Sequence, residues 1–249
     1  NSVANRIEVT DASGTVIKNI TLTSTNLEDG NIVIDGLTPL TSYTATLYNN
    51  ESKRGVVDFT TTAKVPDADY TAFLQSSDSL NNDLFTTMAE AGYQTVNIAL
   101  PAGSIYYNEN SLNIPDGMSV TFFGLPGEKQ AIIGVKSIDI AGTHDFIKFE
   151  NVEITGASMK ADGNNTINDY LFNQSKASTV GSIEFSNSLI NGFKNTPVRL
   201  QGSDIKVIDL VKFENCTVFG ADARTYSLIH IDASSGKGKI ENIEFSKTT

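Results

Sequence analysis

The beginning of the chain alternates apolar and polar residues with a period of two, in runs separated by Gly, Asn and Asp. Such runs predict short antiparallel strands joined by turns, with one face of each strand buried. A turn is predicted at residues 11–14, where the sequence reads Asp-Ala-Ser-Gly. The apolar members of the alternation are Ile7, Val9, Val16, Ile20, Leu22, Ile32, Ile34 and Leu37.

The pattern changes around Pro66, which ends strand pairing and stiffens the chain, so residues 64–68 are predicted to be a linker. From Asp69 onward the apolar residues follow a helical spacing. One or two helices are therefore predicted before Gly92, a residue suited to end a helix. The apolar residues of this stretch are Tyr70, Phe73, Leu74, Leu80, Leu84, Phe85 and Met88.

A repeat runs through the second half of the chain. Residues 147–156, 183–192 and 211–220 align on the pattern apolar-charged-Phe-polar-Asn, and a fourth copy begins at Ile243. The four Phe residues are separated by 36, 28 and 32 positions, which suits one coil of a β-helix with corners of varying length. Each coil then buries its Phe against the coil below, so that neighbouring coils share one continuous core.

The repeat also predicts which side chains recur at the bends and on the outside. Asn151, Asn187 and Asn215 follow their Phe by two positions and are expected at a bend, where Asn tolerates unusual backbone angles and bonds its stacked copy. The residue just before each Phe is expected to point outward and to alternate in charge from coil to coil, which is mildly stabilising. These residues are Lys148, Glu184, Lys212 and Glu244.

Residues 37–47 resemble the tyrosine-corner segment of a fibronectin type III domain, in which a Tyr at the start of a strand, here Tyr43, bonds back to the preceding turn. Residues 55–62 resemble the last strand of that family. The resemblance covers residues 5–63 and departs from the family at its front, where the opening strands and their core Trp are missing. It implies a small or incomplete β-sandwich that serves as a spacer or docking module.

Residues 95–124 resemble the first coils of the pectin-lyase-like β-helix superfamily, with Leu-Pro-Ala-Gly at 100–103 and Pro-Asp-Gly at 115–117. In that family a capping helix precedes these coils. The resemblance implies an all-β fold whose main part is a right-handed parallel β-helix with a helical N-terminal cap.

The expected architecture is thus a fibronectin type III-like module at residues 1–63, a linker at 64–68 and a capped β-helix at 69–249. This layout resembles that of secreted polysaccharide-utilisation proteins of gut-type Gram-negative bacteria. The chain opens at Asn1 without a Met or a signal sequence, so we expect any signal or lipid anchor to lie upstream. The fourth repeat is cut off close to Thr249, so a further coil is expected beyond it. A secreted or outer-membrane, cell-surface location is predicted.

Charge and composition exclude some classes of function. The chain carries 18 basic and 29 acidic residues, for a formal net charge of -11, and has no Lys/Arg cluster. A nucleic-acid partner is therefore not expected, and adsorption to anionic lipid is disfavoured. No apolar run approaches the roughly 18 residues of a membrane helix. The single cysteine, Cys216, excludes an intrachain disulfide.

The candidate binding surface lies on a second strand that is predicted 13 to 15 residues before each Phe of the repeat. With the apolar residues of this strand turned inward, Phe172, Arg199 and His230 form one outward column on three consecutive coils. A ring that stacks on a sugar face and two groups that meet a carboxylate suit the binding of a uronate. The alternative is that these are ordinary solvated positions, with Arg199 paired to a nearby Asp or Glu.

Motifs for catalysis are missing. The Asn-Thr-Asp, Asp-Asp and Gly-His-Gly signatures of galacturonan hydrolases and the Trp-Ile-Asp-His type stretch of pectate lyases do not occur. Residues 162–169 alternate oxygen ligands and could hold Ca²⁺, but they lack the Gly and Glu of an EF-hand loop. A surface loop between two coils is the alternative for this segment, and no other cofactor is predicted.

Three functions remain open at this point. The first is an extracellular carbohydrate-interacting protein that binds acidic, pectin-type polysaccharide, with other surface glycan-utilisation proteins as possible partners. The second is a polysaccharide lyase or glycoside hydrolase of the β-helix type. The third is a structural, adhesin-like surface protein without catalytic activity. A fold alone does not choose between them.

Overall fold

The computed structural model describes residues 4–38, 41–61, 64–160, 162–219 and 227–249. The chain divides into two compact units, Asn1–Lys64 and Val65–Thr249. Pro39 and Gly220, which belong to the motifs discussed above, lie outside the described residues, as do Thr62 and Ala63.

The first unit is built on one antiparallel sheet with the strand order β2-β1-β3-β4. Its described elements are β1 (Arg6–Asp11), β2 (Val16–Thr21), α1 (Ser24–Asp29), β3 (Ser42–Asn49) and β4 (Ser52–Thr60). Tyr43, near the start of β3, accepts a hydrogen bond on its hydroxyl from the backbone N–H of Thr38 at 3.1 Å. This is the bond to the preceding turn that the tyrosine-corner pattern predicts.

The predicted strand around Ile32 and Ile34 is wrong. Residues 31–38 contain no strand, and the short helix α1 stands before them, with Thr23 accepting a bond from the N–H of Asn26. The alternation has a different physical cause. Ile32 lines an apolar cavity together with Leu27 and Leu47, so this segment buries side chains over the sheet and does not pair with it. The described residues of the unit therefore form a single sheet and not two facing sheets.

The second unit is wound from parallel strands. Its described elements are β5 (Tyr70–Phe73), α2 (Asn82–Glu90), β6 (Thr95–Leu100), β7 (Ile105–Asn108), β8 (Leu112–Asn113), β9 (Ser119–Gly124), β10 (Ala131–Val135), β11 (Ile138–Asp139), β12 (Gly142–Glu150), β13 (Val152–Thr155), β14 (Ala157–Met159), β15 (Asn165–Ile167), β16 (Phe172–Gln174), β17 (Ser178–Ser186), β18 (Leu189–Asn191), β19 (Val198–Gly202), β20 (Lys206–Glu214), β21 (Thr217–Phe219), β22 (Ile229–Ala233) and β23 (Gly238–Ser246).

These strands stack into three parallel sheets. The first sheet has the order β23-β20-β17-β12-β9-β6-β5, the second β21-β18-β13-β10-β7 and the third β22-β19-β16-β11-β8. Five successive coils contribute one strand to each sheet, while β5 and β23 belong to the first sheet alone. The unit is a parallel β-helix of about 6 turns. The predicted all-β, parallel β-helix class is confirmed. Strands β14 and β15 form a separate antiparallel hairpin between β13 and β16.

The repeat register is confirmed by the strand pairing in the first sheet. Phe149 pairs with Phe185, Phe185 with Phe213, and Phe213 with Phe245. Neighbouring rings lie 4.8–5.2 Å apart between centroids and are nearly parallel. Phe122 adds a further ring, 4.9 Å from Phe149. The core of the unit is thus a continuous stack of phenyl rings along the coil axis.

The Asn column at the bend is confirmed as well. Asn151, Asn187 and Asn215 have positive φ angles of 55, 48 and 52°, a region that few residues other than Gly and Asn adopt readily. Asn215 Nδ2 donates to Asn187 Oδ1 at 2.8 Å, which is the predicted bond between stacked copies. Asn151 Nδ2 instead donates to the carbonyl of Gly124 at 2.8 Å, since Gly124 occupies the Asn position in the coil below.

Replacing Asn187 by alanine is expected to lower the free energy of unfolding by about 2 kcal/mol. About 1 kcal/mol comes from the lost bond to Asn215 and about 1 kcal/mol from placing Ala at positive φ. Asn187→Gly loses the bond but tolerates the angle, so it should cost about half as much. Urea unfolding followed by circular dichroism measures both variants. Equal losses for the two variants would contradict a role for the backbone angle.

The outward charge column is confirmed in part. Lys148 Nζ lies 3.3 Å from Glu184 Oε1 on the next coil, as predicted. Lys212 pairs most closely with Glu214 on its own strand, at 2.8 Å. The hydrogen bond to Glu214 and its charge raise the pKa of Lys212, and the charges of Glu184 and Glu244 add to this shift. Lys212 therefore lies within the field of both neighbouring coils, although its direct partner is local.

Helix α2 forms in the later part of the stretch where one or two helices were predicted. Asn81 begins it by accepting a bond from the N–H of Leu84, and Gly92 follows its end with a φ of 84°. Phe85 is fully buried and meets Phe122 edge-on at 6.2 Å. None of the described helices has the length and apolarity needed to cross a membrane.

The earlier part of the predicted helical stretch is a strand. Residues Tyr70–Phe73 form β5, which pairs in parallel with β6, so that Tyr70 lies beside Val96 and Phe73 beside Ala99. The physical reason is the free edge of β6, since pairing with it supplies backbone hydrogen bonds and buries Ala72 against the core. Tertiary pairing thus overrides the local apolar spacing.

Candidate functional site

A row of polar side chains crosses the outer face of the third sheet, one from each coil. Strand pairing aligns Asn113 with Asp139, Asn173 with Arg199, and Arg199 with His230. Asp139 is level with Asn173, because the residues just before them, Ile138 and Phe172, are paired. We call this row the polar column; its members are Asn113, Asp139, Asn173, Arg199 and His230. Strands in a sheet lie about 4.8 Å apart, so the column is about 19 Å long.

The prediction that placed Phe172 in this column is wrong. Phe172 pairs with Val198, is fully buried, and meets Phe149 edge-on with centroids 6.2 Å apart. The prediction assumed that Leu171 points inward and its neighbours outward. Both Leu171 and Phe172 are buried, because the strand begins only at Phe172 and the regular alternation starts there.

Arg199 and His230 do lie side by side on adjacent strands, as predicted. Asn173 takes the place that was assigned to Phe172. The three-coil column therefore exists with one member changed, and it extends to two further coils through Asp139 and Asn113.

Arg199 is held by two neighbours. Its Nη2 donates to the Asp232 carboxylate and its Nη1 donates to the hydroxyl of Tyr170 at 3.2 Å. The guanidinium carbon also lies 5.1 Å from the centroid of the Tyr170 ring. The hydrogen bond from Arg199 and its positive charge lower the pKa of Asp232, and His230 adds to this effect. The pairing of Arg199 with a nearby carboxylate, given above as the alternative, is thus present.

The charge at the other end of the column is compensated in the same way. Asp139 Oδ2 accepts from Lys176 Nζ at 2.8 Å, and its Oδ1 accepts from the N–H of Ala141 at 3.0 Å. The bond to Asp139 raises the pKa of Lys176. Both ion pairs lie at the surface, where such pairs contribute little to stability. The column therefore presents hydrogen-bonding groups with balanced charge, on a chain whose net charge is -11.

Two buried atoms in the middle of the column lack hydrogen-bond partners among the described residues. They are Oδ1 of Asn173, an acceptor, and Nε of Arg199, a donor. Buried polar atoms nearly always have a hydrogen-bond partner, so each of these two atoms calls for an explanation. A hydroxyl both donates and accepts, so it can partner either atom once that side chain turns outward.

Three residues of the site were missed from the sequence. Asn173 was hidden by the assignment of Phe172, and Asp232 has the same outward parity as His230, two positions later. Tyr170 was not considered as a site residue; it is half-buried, and its hydroxyl also accepts from Asn195 Nδ2 at 3.4 Å. The signal for Asp232 was available, since alternation along β22 places it beside the column.

Outside the polar column, the oxygen-rich segment at residues 162–169 and the second histidine of the chain are held by local bonds. Asp162 Oδ1 accepts from the N–H of Asn164 at 2.9 Å, and this bond lowers the pKa of Asp162. His144 is buried, with Nδ1 2.7 Å from the carbonyl of Met118. No group of three or more His, Cys, Asp or Glu in the described part of the chain is placed to hold a metal ion. Calcium at residues 162–169 stays a prediction.

Comparison with protein-family models, with curated proteins and with solved structures gave no match for this chain.

Proposed function

We propose that this protein is an extracellular or cell-surface polysaccharide-binding protein and that the glycan lies along the polar column. The observation that carries the proposal is the donor and acceptor pair of Arg199 and Asn173, buried and unpartnered next to the Tyr170 ring. A sugar offers hydroxyls for the pair and an apolar ring face for the tyrosine. A parallel β-helix is compatible with carbohydrate binding.

The acidic, pectin-type class of glycan follows from the chemistry of Arg199. A planar guanidinium binds a carboxylate through two parallel N–H donors. In the free protein one of these donors, Nη2, is paired with Asp232, whose side chain is 52% exposed, and Nη1 is bonded to Tyr170. A uronate carboxylate that exchanges with Asp232 keeps Arg199 paired, while its hydroxyls meet the rest of the column.

The finer architecture belongs to the same proposal. Right-handed winding of the coil is supported by the strong preference of parallel crossover connections for that hand. The role of α2 as a cap is supported by Phe85, which lies on the first rings of the stack. The bond between Tyr43 and Thr38 supports a fibronectin type III-like tyrosine corner in the first unit, whose described residues form one sheet of that two-sheet fold. We assign that unit a spacer role.

Oligogalacturonate fragments test the proposal in two forms, the free acid and the methyl ester, by isothermal titration calorimetry. Arg199→Ala is expected to weaken binding of the free acid at least about tenfold, since a charge-assisted pair is lost. Asp232→Asn is expected to strengthen it several-fold, because the competing carboxylate is gone. Lys212→Ala is the matched control, as it removes an ion-paired cation from the first sheet. Its affinity should equal that of the unaltered protein.

Each other outcome has a defined meaning. Equal binding of free acid and ester, with loss in Arg199→Ala, would keep the carbohydrate site and reject the acidic class. Failure of every glycan on an array to bind would overturn the proposal and leave the structural, adhesin-like reading. Release of an unsaturated product, followed by ultraviolet absorbance with and without calcium, would instead establish a lyase.

A further inference from the structure

A small open cavity lies where the end of α2 meets the corner between β8 and β9. Its described lining on the helix side includes Gly92, Tyr93 and Gln94, and on the corner side Asp116, Gly117 and Met118. We call it the helix-end cavity. Its volume is about 200 Å³, below the roughly 300 Å³ at which sites for drug-sized ligands begin. The cavity therefore suits a small chemical group and not a stretch of glycan.

The charge of the helix-end cavity comes from Asp116, the one charged residue of its described lining. No ion pair in the described part of the chain involves this carboxylate. Its Oδ1 accepts a hydrogen bond from the backbone N–H of Thr143 at 2.7 Å, which fixes the side chain in place. The second oxygen, Oδ2, is left for a positively charged ligand.

The end of α2 adds to the negative potential of the cavity. The carbonyl groups at a helix C-terminus carry a partial negative charge, which a Lys, Arg or His in the last turn offsets in many helices. Helix α2 has no basic residue in its last turn and ends at the acidic Glu90. A cation in the cavity therefore meets both the helix C-terminus and the carboxylate of Asp116.

An aromatic pair stands at the same place. The ring of Tyr93, which lines the cavity, stacks on the ring of Tyr70 with centroids 4.8 Å apart and an interplanar angle of 7°. Tyr70 is not a lining residue, so it backs the ring of Tyr93 and holds it in position. Aromatic rings attract cations. The ring therefore favours the same sign of ligand charge as the carboxylate does.

The shape of the cation follows from the available acceptors. A guanidinium prefers to bind both oxygens of one carboxylate, but Oδ1 of Asp116 is already bonded to Thr143. A primary ammonium is more compact, and its three donors can each meet a separate oxygen. Gly92 and Gly117 have no side chains, so they line the cavity with backbone atoms alone. One carboxylate oxygen beside bare peptide groups therefore favours an ammonium.

We propose that the helix-end cavity binds a small primary amine in its protonated, ammonium form. The ammonium donates to Oδ2 of Asp116 and lies beside Tyr93 and the C-terminus of α2, with its alkyl chain directed to solvent. None of the described lining residues belongs to the polar column, so this site is independent of the proposed glycan binding.

Butylammonium chloride is the probe, and butanol is its neutral counterpart of similar shape. Each is titrated into the ¹⁵N-labelled full chain, and the chemical shifts of the backbone N–H groups are followed by nuclear magnetic resonance. We expect saturable shifts at Gly92 and Gly117 with butylammonium. Butanol should bind about tenfold more weakly or less, because the charge-assisted hydrogen bond is missing.

Two variants test the residues of the site. Asp116→Asn removes the charge but keeps an oxygen for the N–H of Thr143, so it should preserve the corner and weaken butylammonium binding about tenfold. Tyr93→Leu keeps an apolar side chain against the core and removes the ring, so a loss of about threefold is expected. Asp145→Asn is the matched control, since it removes an exposed carboxylate that does not line the cavity. It should bind butylammonium as the unaltered protein does.

Three results would overturn the proposal. The first is equal affinity of Asp116→Asn and Asp145→Asn for butylammonium, which would reduce the effect to general attraction by an acidic protein. The second is binding of butanol as tight as that of butylammonium, which would leave only an apolar contact. The third is the absence of saturable shifts at Gly92 and Gly117. Tighter binding of methylguanidinium than of butylammonium would likewise contradict the assignment to an ammonium.

Discussion

Replacing Phe185 by alanine is expected to lower the free energy of unfolding of the β-helix by about 4 kcal/mol. The ring is fully buried and lies between two others, 5.1 Å from Phe149 and 4.8 Å from Phe213. Its removal leaves a cavity and breaks two ring contacts, each of which contributes about 1 kcal/mol beyond burial. No neighbouring side chain is free to fill the cavity, because Phe149 and Phe213 on either side are held in place by the strands of their own coils.

Two further variants distinguish the effect of lost apolar volume from the effect of the ring's place in the stack. Phe185→Leu keeps most of the apolar volume and should cost roughly half as much. Phe245→Ala removes the same ring from the end of the stack, where the residue is 56% exposed and has one ring neighbour, so a loss of about 1 kcal/mol is expected. Urea unfolding monitored by circular dichroism measures all three. Similar losses for Phe185→Ala and Phe245→Ala would contradict a continuous core.

Substitution of Gly124 by alanine is the other change expected to have a large effect. A Cβ at this position would lie 2.0 Å from the backbone oxygen of Asn151 and 2.9 Å from its carbonyl carbon. Backbone atoms held in a parallel ladder cannot swing aside as a flexible side chain does. The coils must separate locally, which also disturbs the bond from Asn151 Nδ2 to the Gly124 carbonyl. We expect a loss of about 3 kcal/mol.

Gly55→Ala is the matched control for that change. Gly55 also lies in a strand, its φ is not in the positive range, and nothing lies within 4 Å of an added Cβ. Its effect should stay within about 0.5 kcal/mol. A thermal unfolding midpoint for Gly124→Ala as high as that of Gly55→Ala would show that the coils can separate at little cost.

The repeat made much of the β-helix predictable. Phe149, Phe185 and Phe213 fixed the register because a parallel stack requires the same residue type at the same height in each coil. The positive φ of the Asn column followed from the tolerance of Asn for that backbone region. The Phe register and the Asn backbone angle recur from coil to coil, so the pattern that predicts them occurs several times in the sequence.

The failures occurred where a single residue had no repeated counterpart. Phe172 was misplaced because its strand is short and follows a corner of variable length. The sequence therefore does not show which residues of this strand point inward. Tyr70 and Phe73 were assigned to a helix because the partner strand β6 lies later in the sequence. Ile32 was assigned to a strand although it buries its side chain over a sheet face. In each case the deciding contact was distant in sequence.

The candidate site was only half predictable for the same reason. Arg199 and His230 were found from parity along their strands. The ion pair with Asp232 and the contact with Tyr170 depend on how long side chains lie across neighbouring coils, which periodicity does not specify. The unpartnered atoms of Asn173 and Arg199 can be recognised only once the packing around them is known.

The hairpin of β14 and β15 shows how this architecture accommodates new sequence. It is inserted at one corner, between β13 and β16, and the coil that carries it is the longest, with 36 residues from Phe149 to Phe185. The two rings nevertheless stack at 5.1 Å, as closely as in the shorter coils. Corners can therefore gain or lose residues during evolution while the interior keeps its spacing. Corner length and core spacing are therefore independent in this β-helix, so a loop can be added next to the polar column without a change of fold.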